Sequence, residues 1–430
     1  MINTDATAVL LFQHNLRLHD NPALVAAAKH KRLICLYCYD DWQFDTQFGL
    51  SHCGPHRAGF IWQSLQDLRE KLHKLGQHLY IVKGALNAIM AQIEQQIPEL
   101  NIYVQAHASL QQHQQLCQLT QRFKCHLMPG NTLLDADQLP FDLYSLPSVF
   151  TRFRNKVEKS WPKLSPLASP LALPFAPKLH LPSLDSSPTR QMDKRDPRRA
   201  LDFVGGESAA LSRLDHYIWQ TKALQTYKET RNQLLGSDYS SKFSPWLATG
   251  CLSAKHIYQQ VKLFEAKHGA NESTYWLIFE LLWRDYFAFS AQKDLASESV
   301  LATEQPKNKL GSVQQRAFES WCQGNTGNDF VDANMRELLH SGFMSNRGRQ
   351  NVASYLLNEL NLDWRWGAAW FEQQLIDFDQ ASNVGNWQYI AGIKSPNGAR
   401  RFNIALQTEQ YDGQGAYRRH WLKSDSAEEE

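Results

Sequence analysis

The stretch YSSKFSPWLATGCLS (239–253) carries Ser240, Ser241 and Ser244 just ahead of a helical pattern, with Ser244 where an N-cap belongs and Pro245 at the first helical position. Hydroxyls and free backbone N–H groups at such a point suit a phosphate, and they equally suit a plain helix cap. In FELLWRDYF (279–287) an acid, an indole and a guanidinium, Glu280, Trp283 and Arg284, interrupt an apolar, aromatic helix. Glu280 and Arg284 stand four residues apart, which is also the spacing of an ordinary ion pair, with Trp283 filling core. GFMSNRGRQNVASYLLNEL (342–360) sets Asn346, Arg349 and Gln350 on one helical face, opposite an apolar stripe of Val352, Tyr355, Leu356 and Leu360. That polar face fits either a charged ligand or solvent. WFEQQLIDFDQASNVGNWQYIAG (370–392) places Asp377 and Asp379 near the C-terminal end of a helix. The macrodipole disfavours carboxylates there, so each calls for a specific partner.

Two kinds of structure must position these groups. Short apolar runs at 8–12, 33–39, 78–83, 101–105 and 125–128 alternate with helical patterns such as 58–75, which predicts a doubly wound, five-stranded parallel sheet in an α/β domain over 1–132. The stretch 162–197 is rich in proline and serine and runs into KRDPRR (194–199), so 133–200 reads as an interdomain linker over the surface. From 201 to 422 every strong pattern has helical period, giving an all-α domain. Within it, DFVDANMRELLHSG (329–342) has Asp329 as its expected N-cap, Val331, Met335, Leu338 and Leu339 as its stripe, and Gly342 as its C-cap. Residues 423–430 read as an acidic, solvated tail.

Composition narrows the function classes. With 45 basic against 43 acidic residues the net charge is +2, so no overall field draws the molecule to nucleic acid and any DNA binding needs a local patch. Seven cysteines without a regular framework indicate reduced thiols. Cys35 and Cys38 form a CxxC inside the strand pattern LICLYCY, where residues three apart point to opposite faces; no metal is expected. No apolar stretch approaches the ~20 residues of a membrane span, and a cytoplasmic protein is expected.

GGESAALSRLDHYIWQ (205–220), YKETRNQ (227–233) and SSKFSPWLATGCLS (240–253), taken with the segments above, resemble the flavin domain of the cryptochrome/DNA photolyase family. The wording GGE, YK-TRN and KFSPWL is similar to the DASH branch in particular; the resemblance is strong over 205–403 and weak over 8–40. It implies bound FAD, with Tyr227, Ser240, Ser241 and Ser244 at the diphosphate and backbone help from Lys242 and Phe243. It also implies that Asn346, Arg349, Asp377, Phe378, Asp379 and Asn383 surround the cofactor, with Asp377 paired to Arg349, Asp379 on the flavin rings and Asn383 facing the reactive ring nitrogen. Arg231, Glu280, Trp283, Arg284, Arg347, Gln350 and Tyr389 are implied to face the DNA lesion, Trp283 offering a flat surface to flipped-out pyrimidines. Gln350 stands where standard cyclobutane-dimer photolyases often have methionine. Trp321, Trp364 and Trp387 match the family's three-tryptophan relay and, with Asn383 and Glu280, make up the implied catalytic set.

The function so implied is blue-light-driven repair of cyclobutane pyrimidine dimers by an electron from photoexcited reduced FAD, with single-stranded or locally unpaired DNA as the better substrate. The competing class is a blue-light signalling protein without repair, towards which only the acidic tail points. Three features depart from the family. Gln13, His14 and Asn15 replace its usual arginine, asparagine and aspartate ahead of an intact LRLHDNPAL. No Asp or Glu occurs from Leu100 to Leu134, where many relatives carry the acid that holds a folate antenna (methenyltetrahydrofolate), so folate is the weaker cofactor expectation beside FAD. After AGI the chain reads KSPNGARRFN (394–403) instead of a glycine and an acidic loop. Lys394, Arg400 and Arg401 there could join Arg152, Arg154, Lys156 and Lys159 in the local basic patch, or stay solvated.

Overall fold

The central strands read as unbroken apolar runs because both of their faces are covered. The computed structural model describes residues 5–188, 195–296, 306, 308–394 and 398–423. Its strands are β1 (Thr7–Phe12), β2 (Leu33–Tyr39), β3 (Thr46–Gln47), β4 (Leu50–Ser51), β5 (Leu79–Lys83), β6 (Leu100–Gln105) and β7 (Lys124–Met128). Five of them form one parallel sheet in the order β5-β2-β1-β6-β7, and β3 pairs with β4 as a separate antiparallel ribbon. The helices α1 (Pro22–Ala27), α2 (Pro55–Lys74), α3 (Leu86–Gln96) and α4 (Leu110–Leu119) lie between the strands. Alternate residues take opposite faces. Ala8, Leu10, Phe12, Cys35 and Tyr37 pack towards α1, α2 and the helical half, while Val9, Leu11, Ile34, Leu36 and Cys38 pack under α3 and α4. Cys35 and Cys38 are thus divided between the two faces.

After β7 comes α5 (Phe150–Lys159), whose Phe150, Phe153 and Val157 are buried at helical spacing. The Pro/Ser-rich stretch beyond it is irregular but docked. Leu33 N–H donates to Phe175 O at 3.0 Å and Leu184 N–H to Ile81 O at 2.6 Å, so the segment covers the outer edge of the sheet at β5. The remaining helices are α6 (Glu207–Asp215), α7 (Tyr227–Thr230), α8 (Ser244–Thr249), α9 (Ala254–His268), α10 (Glu272–Ala296), α11 (Ser312–Gln323), α12 (Asp329–Ser341), α13 (Asn346–Asn358), α14 (Trp364–Gln374), α15 (Gln380–Ile390), α16 (Ile404–Asp412) and α17 (Ala416–Leu422). The long helix α10 touches α5, α7, α9 and α15 and is the spine of this half. Gly342 ends α12 in the left-handed conformation, φ 70°, as expected. The N-cap is Asn328 rather than Asp329, because Asn328 is still extended and its side chain accepts the Val331 N–H. Of the acidic tail, 424–430 lie outside the described residues, as do Lys194 of KRDPRR and 395–397 of KSPNGARRFN. No described helix is long and apolar enough to cross a membrane.

The motif LRLHDN joins the two halves. Arg17, fully buried, donates to Asp20 O at 2.8 Å, Gly130 O at 2.9 Å and Gly250 O at 2.8 Å. Glu207 receives the His19 ring and the Lys71 ammonium. Gly250 has φ +72°, and a Cβ there would meet His14 O at 1.9 Å, so only glycine allows this approach. From α10, Arg284 and Asp285 grip the segment after β7: Asp285 accepts the N–H groups of Leu133 and Leu134 at 2.9 and 2.8 Å.

Candidate functional site

Where α7, α10, α13 and α15 converge they leave a cavity of about 470 Å³. One end is built by the serine segment. Lys242 takes φ +54°, a left-handed turn, and Phe243 is already helical, so Ser244 begins α8 rather than capping it. The expected N-cap role of Ser244 is therefore corrected, and among the described residues the hydroxyls of Ser240, Ser241 and Ser244 have no protein partner. The loop keeps its shape through Arg213, which sequence reasoning passed over. Its guanidinium donates to the carbonyls of Ser237, Ser240 and Ser241 at 3.0–3.1 Å and to Asp238 at 2.6 Å. The Lys242 ammonium donates to Gly236 O at 3.1 Å and lies 3.2 Å from the Tyr239 ring centroid. Burial first, then the nearby Arg213, lower it to about 7. Beneath it Glu337, raised by burial to about 7, accepts the Tyr417 hydroxyl at 2.6 Å. Tyr227 lines the same cavity, and the Tyr239 hydroxyl is buried without a hydrogen-bond partner. Unengaged hydroxyls beside a buried ammonium are the donor set that a diphosphate requires.

The opposite wall carries the acids. Arg349 donates through Nη2 to both oxygens of Asp377, at 3.0 and 2.7 Å, and through Nε to Met344 O at 2.9 Å. Both aspartates lie beyond the end of α14, which stops at Gln374, so the expectation that they sit at a helix C-terminus is overturned. Ile376 N–H bonds Gly342 O at 2.9 Å, a tertiary contact that draws the chain out of the helix. Asp379 is the N-cap of α15, accepting Ser382 N–H at 2.8 Å, where the helix dipole favours a carboxylate. Its other oxygen meets His107 Nε2 at 3.0 Å. Burial pushes the Asp379 carboxyl up, but the His107 and Ser382 hydrogen bonds and Arg284 outweigh it and hold the group well below the usual range. Asn346, Arg349, Asp377, Phe378, Asp379 and Asn383 all line one recess. Asn383 donates to Ala368 O at 3.1 Å, and Phe378 lies under the Arg57 guanidinium at 4.6 Å.

The mouth of the cavity brings Arg231, Glu280, Trp283, Arg284, Gln350 and Tyr389 together. Arg231 donates to Glu280 at 2.6 Å, while desolvation raises the Glu280 carboxyl. One face of Trp283 is covered by Phe150, stacked at 3.7 Å with an interplanar angle of 13°. Sequence reasoning gave Phe150 no role. Arg284 borders the cavity, but its donors are engaged by Asn131, at 2.5 Å to O and 2.6 Å to Oδ1, and by Leu247 O at 3.4 Å. Arg347 stands behind the lining, donating to Gln350 Oε1 at 3.0 Å and Asn232 Oδ1 at 3.3 Å. The Tyr389 hydroxyl accepts from Arg400 at 2.7 Å.

Trp321, Trp364 and Trp387 share one core cluster, and at 0%, 5% and 2% exposure none of them is a surface residue. Phe371 lies between two of them, 5.2 Å from Trp387 and 6.2 Å from Trp321. Phe318 extends the ring series from Trp321 to Trp366 at 5.3 Å.

A second cavity, of about 680 Å³, borders Trp283 and Tyr389 together with Phe150, Tyr286 and Ala108. Ala108 and Ser109 follow β6, the strand after which the antenna acid was sought, and the acid lining this cavity is Asp294, paired with Lys394. Of the basic patch, Lys394 pairs with Asp294, Arg401 with Glu359 and Arg154 with Glu158, while Arg152, Lys156 and Lys159 are exposed along α5.

Family models match both halves. "DNA photolyase" covers residues 8–172, and "FAD binding domain of DNA photolyase" covers 276–427. The chain is 45% identical to the Cryptochrome DASH of Synechocystis over 98% of its own length and 88% of the relative's. It is 41% identical to the Cryptochrome DASH of Xenopus laevis over 96% and 82%. Among solved structures, the Synechocystis cryptochrome superposes with TM-score 0.90 at 44% identity, covering 98% of this chain and 89% of that one. A class III photolyase from Agrobacterium tumefaciens superposes at 0.79 and 27% identity, covering 97% and 86%.

Proposed function

Because the chain belongs to the cryptochrome/DNA photolyase family, in its DASH branch, and carries that family's FAD-binding domain, we propose that it is a light-driven enzyme that splits cyclobutane pyrimidine dimers, preferentially in single-stranded or locally unpaired DNA. The observation that carries the reading is a single cavity with two chemistries. The unengaged serine hydroxyls and Lys242 line one part of it, and Glu280 with its Arg231 partner and Trp283 line another.

In this reading Ser240, Ser241, Ser244 and Lys242 hold the FAD diphosphate, with Tyr227 closing the wall. Arg349, braced by Asp377, Asp379, Asn346 and Asn383 surround the ring system, with Phe378 behind them. When bound, reduced FAD supplies the photoexcited electron that opens the cyclobutane ring and is returned afterwards. Glu280, whose carboxyl desolvation raises, faces the pyrimidine carbonyls, and Arg231 keeps it oriented. The face of Trp283 not covered by Phe150 stacks on the extruded dimer, with Tyr389 and Gln350 completing the pocket. Arg152, Lys156 and Lys159 hold backbone phosphates. So few free cations supply little towards unpairing a duplex lesion, which costs roughly a few kcal/mol, and an already unpaired dimer avoids that cost. Trp387, Trp364 and Trp321 carry electrons inward to regenerate reduced flavin.

The test is dimer loss from irradiated thymine oligonucleotides, single- and double-stranded, with the FAD-loaded, fully reduced protein. Light-dependent loss, faster on the single strand, is the expected result. Photoreduction of flavin without dimer loss on either strand would refute the repair reading and favour a photoreceptor.

A further inference from the structure

His107, from the α/β half, bonds an acid that lines the recess described above. His107 follows β6, and its backbone is immobilised: its N–H donates to Gln112 Oε1 at 2.7 Å, and its carbonyl accepts Ser109 N–H at 2.9 Å. Its ring, 2% exposed, meets the α15 N-cap carboxylate of Asp379 at 3.0 Å, across 272 residues of chain. Behind it the His14 ring stacks at 3.7 Å and 12°, and His14 Nδ1 bonds Ala248 O at 3.1 Å. His14 is one of the three residues that depart from the family pattern. Its task here is to back His107.

The hydrogen bonds decide which proton His107 carries. Its Nδ1 is buried and has no partner, so a proton there would be an unsatisfied donor. Burial first, then the neighbouring His107, lower the His14 ring behind it to about 3, so the backing ring is neutral. A proton on Nε2 points at Asp379 Oδ2. Ser382 N–H takes Oδ1, so each oxygen is tethered once and keeps a lone pair for a ligand. The isoalloxazine ring offers a carboxylate its imide N–H.

We infer that His107, backed by His14, is a positioning residue for flavin, fixing Asp379 as an oriented carboxylate acceptor so that the α/β half completes the binding site of the helical half. The inference rests on the FAD reading above.

The experiment compares His107→Phe, which keeps the stack and deletes the donor, with His107→Gln, whose side-chain amide can donate to the same oxygen. His107→Leu replaces the Phe variant if that fails to fold. FAD affinity is measured by fluorescence titration between about pH 5 and pH 8. Loss of a donor to a buried carboxylate predicts affinity weaker by roughly 10- to 100-fold at neutral pH. It also predicts a further fall on acidification that wild type lacks, because an untethered, buried Asp379 takes up a proton. Gln should recover most of both effects, which a merely structural role for the ring would not produce. Nitrogen NMR of the apo-protein should show a proton on His107 Nε2. A donorless variant with wild-type affinity and a flat profile, or a ring without a proton on Nε2, would overturn the inference. A wild-type chain that takes up no FAD would overturn the cofactor reading itself.

Discussion

FAD affinity should fall steeply as pH rises through neutrality, because one buried lysine must be charged to meet the diphosphate. Lys242 is only 3% exposed, and burial brings its ammonium down to about 7 in the free protein. A bound diphosphate favours the charged form and returns the group towards its ordinary ~10.4. Binding then takes up a proton wherever the free site has lost one. The affinity is therefore full below about pH 6 and falls about tenfold per pH unit above 7, or roughly 100-fold between about pH 6 and pH 9. Glu337 titrates in the same window, raised by burial to about 7, and its ionisation draws the ammonium back up, which softens the onset. Arg213 acts on the ammonium in the opposite sense and Asp238, itself lowered, in the same sense as Glu337. The assay is an FAD titration at constant ionic strength across that range for wild type, Lys242→Met and Lys242→Arg. Met should bind weakly with a shallow profile, and Arg, charged throughout, should also lose the slope. A flat wild-type profile, or an equal slope in the Met variant, would refute the reasoning.

Two further outcomes follow from single contacts. Arg349→Ala leaves the Asp377 carboxylate, whose side chain is 2% exposed, without its guanidinium. A loss of roughly 3–5 kcal/mol is expected in denaturant unfolding, and pairing the change with Asp377→Asn should recover part of it. Phe150→Ala removes the ring stacked on Trp283. Beyond its cost in stability, losing the aromatic pair should weaken binding of dimer-containing DNA by roughly 2- to 12-fold while FAD affinity holds, and Phe150→Tyr should restore it.

The five strands, the helical second half and the residues around the cavity were legible because their signals are local: apolar runs, helical periods and short motifs. Errors arose where a tertiary contact overrode a local pattern. Leu375 and Ile376 continue the apolar period of α14, so Asp377 and Asp379 looked like the end of that helix. The Ile376 bond to Gly342 instead turns the chain and hands Asp379 to the next helix as its cap. Ser244 has the chemistry of a cap, but the left-handed Lys242 starts the helix one residue early and leaves that hydroxyl unengaged. Asn328 took the cap from Asp329 for the same reason, since backbone conformation decides which of two capable side chains serves.

The sequence by itself determined the fold class, the family and most of the cavity's lining, because periodicity and motif wording are properties of contiguous residues. Only the tertiary structure decided what backs those residues: Phe150 behind Trp283, Arg213 under the serine loop, and His107 against Asp379. Such partners are brought together by packing across the whole chain, and no local pattern records a contact between residues 272 positions apart.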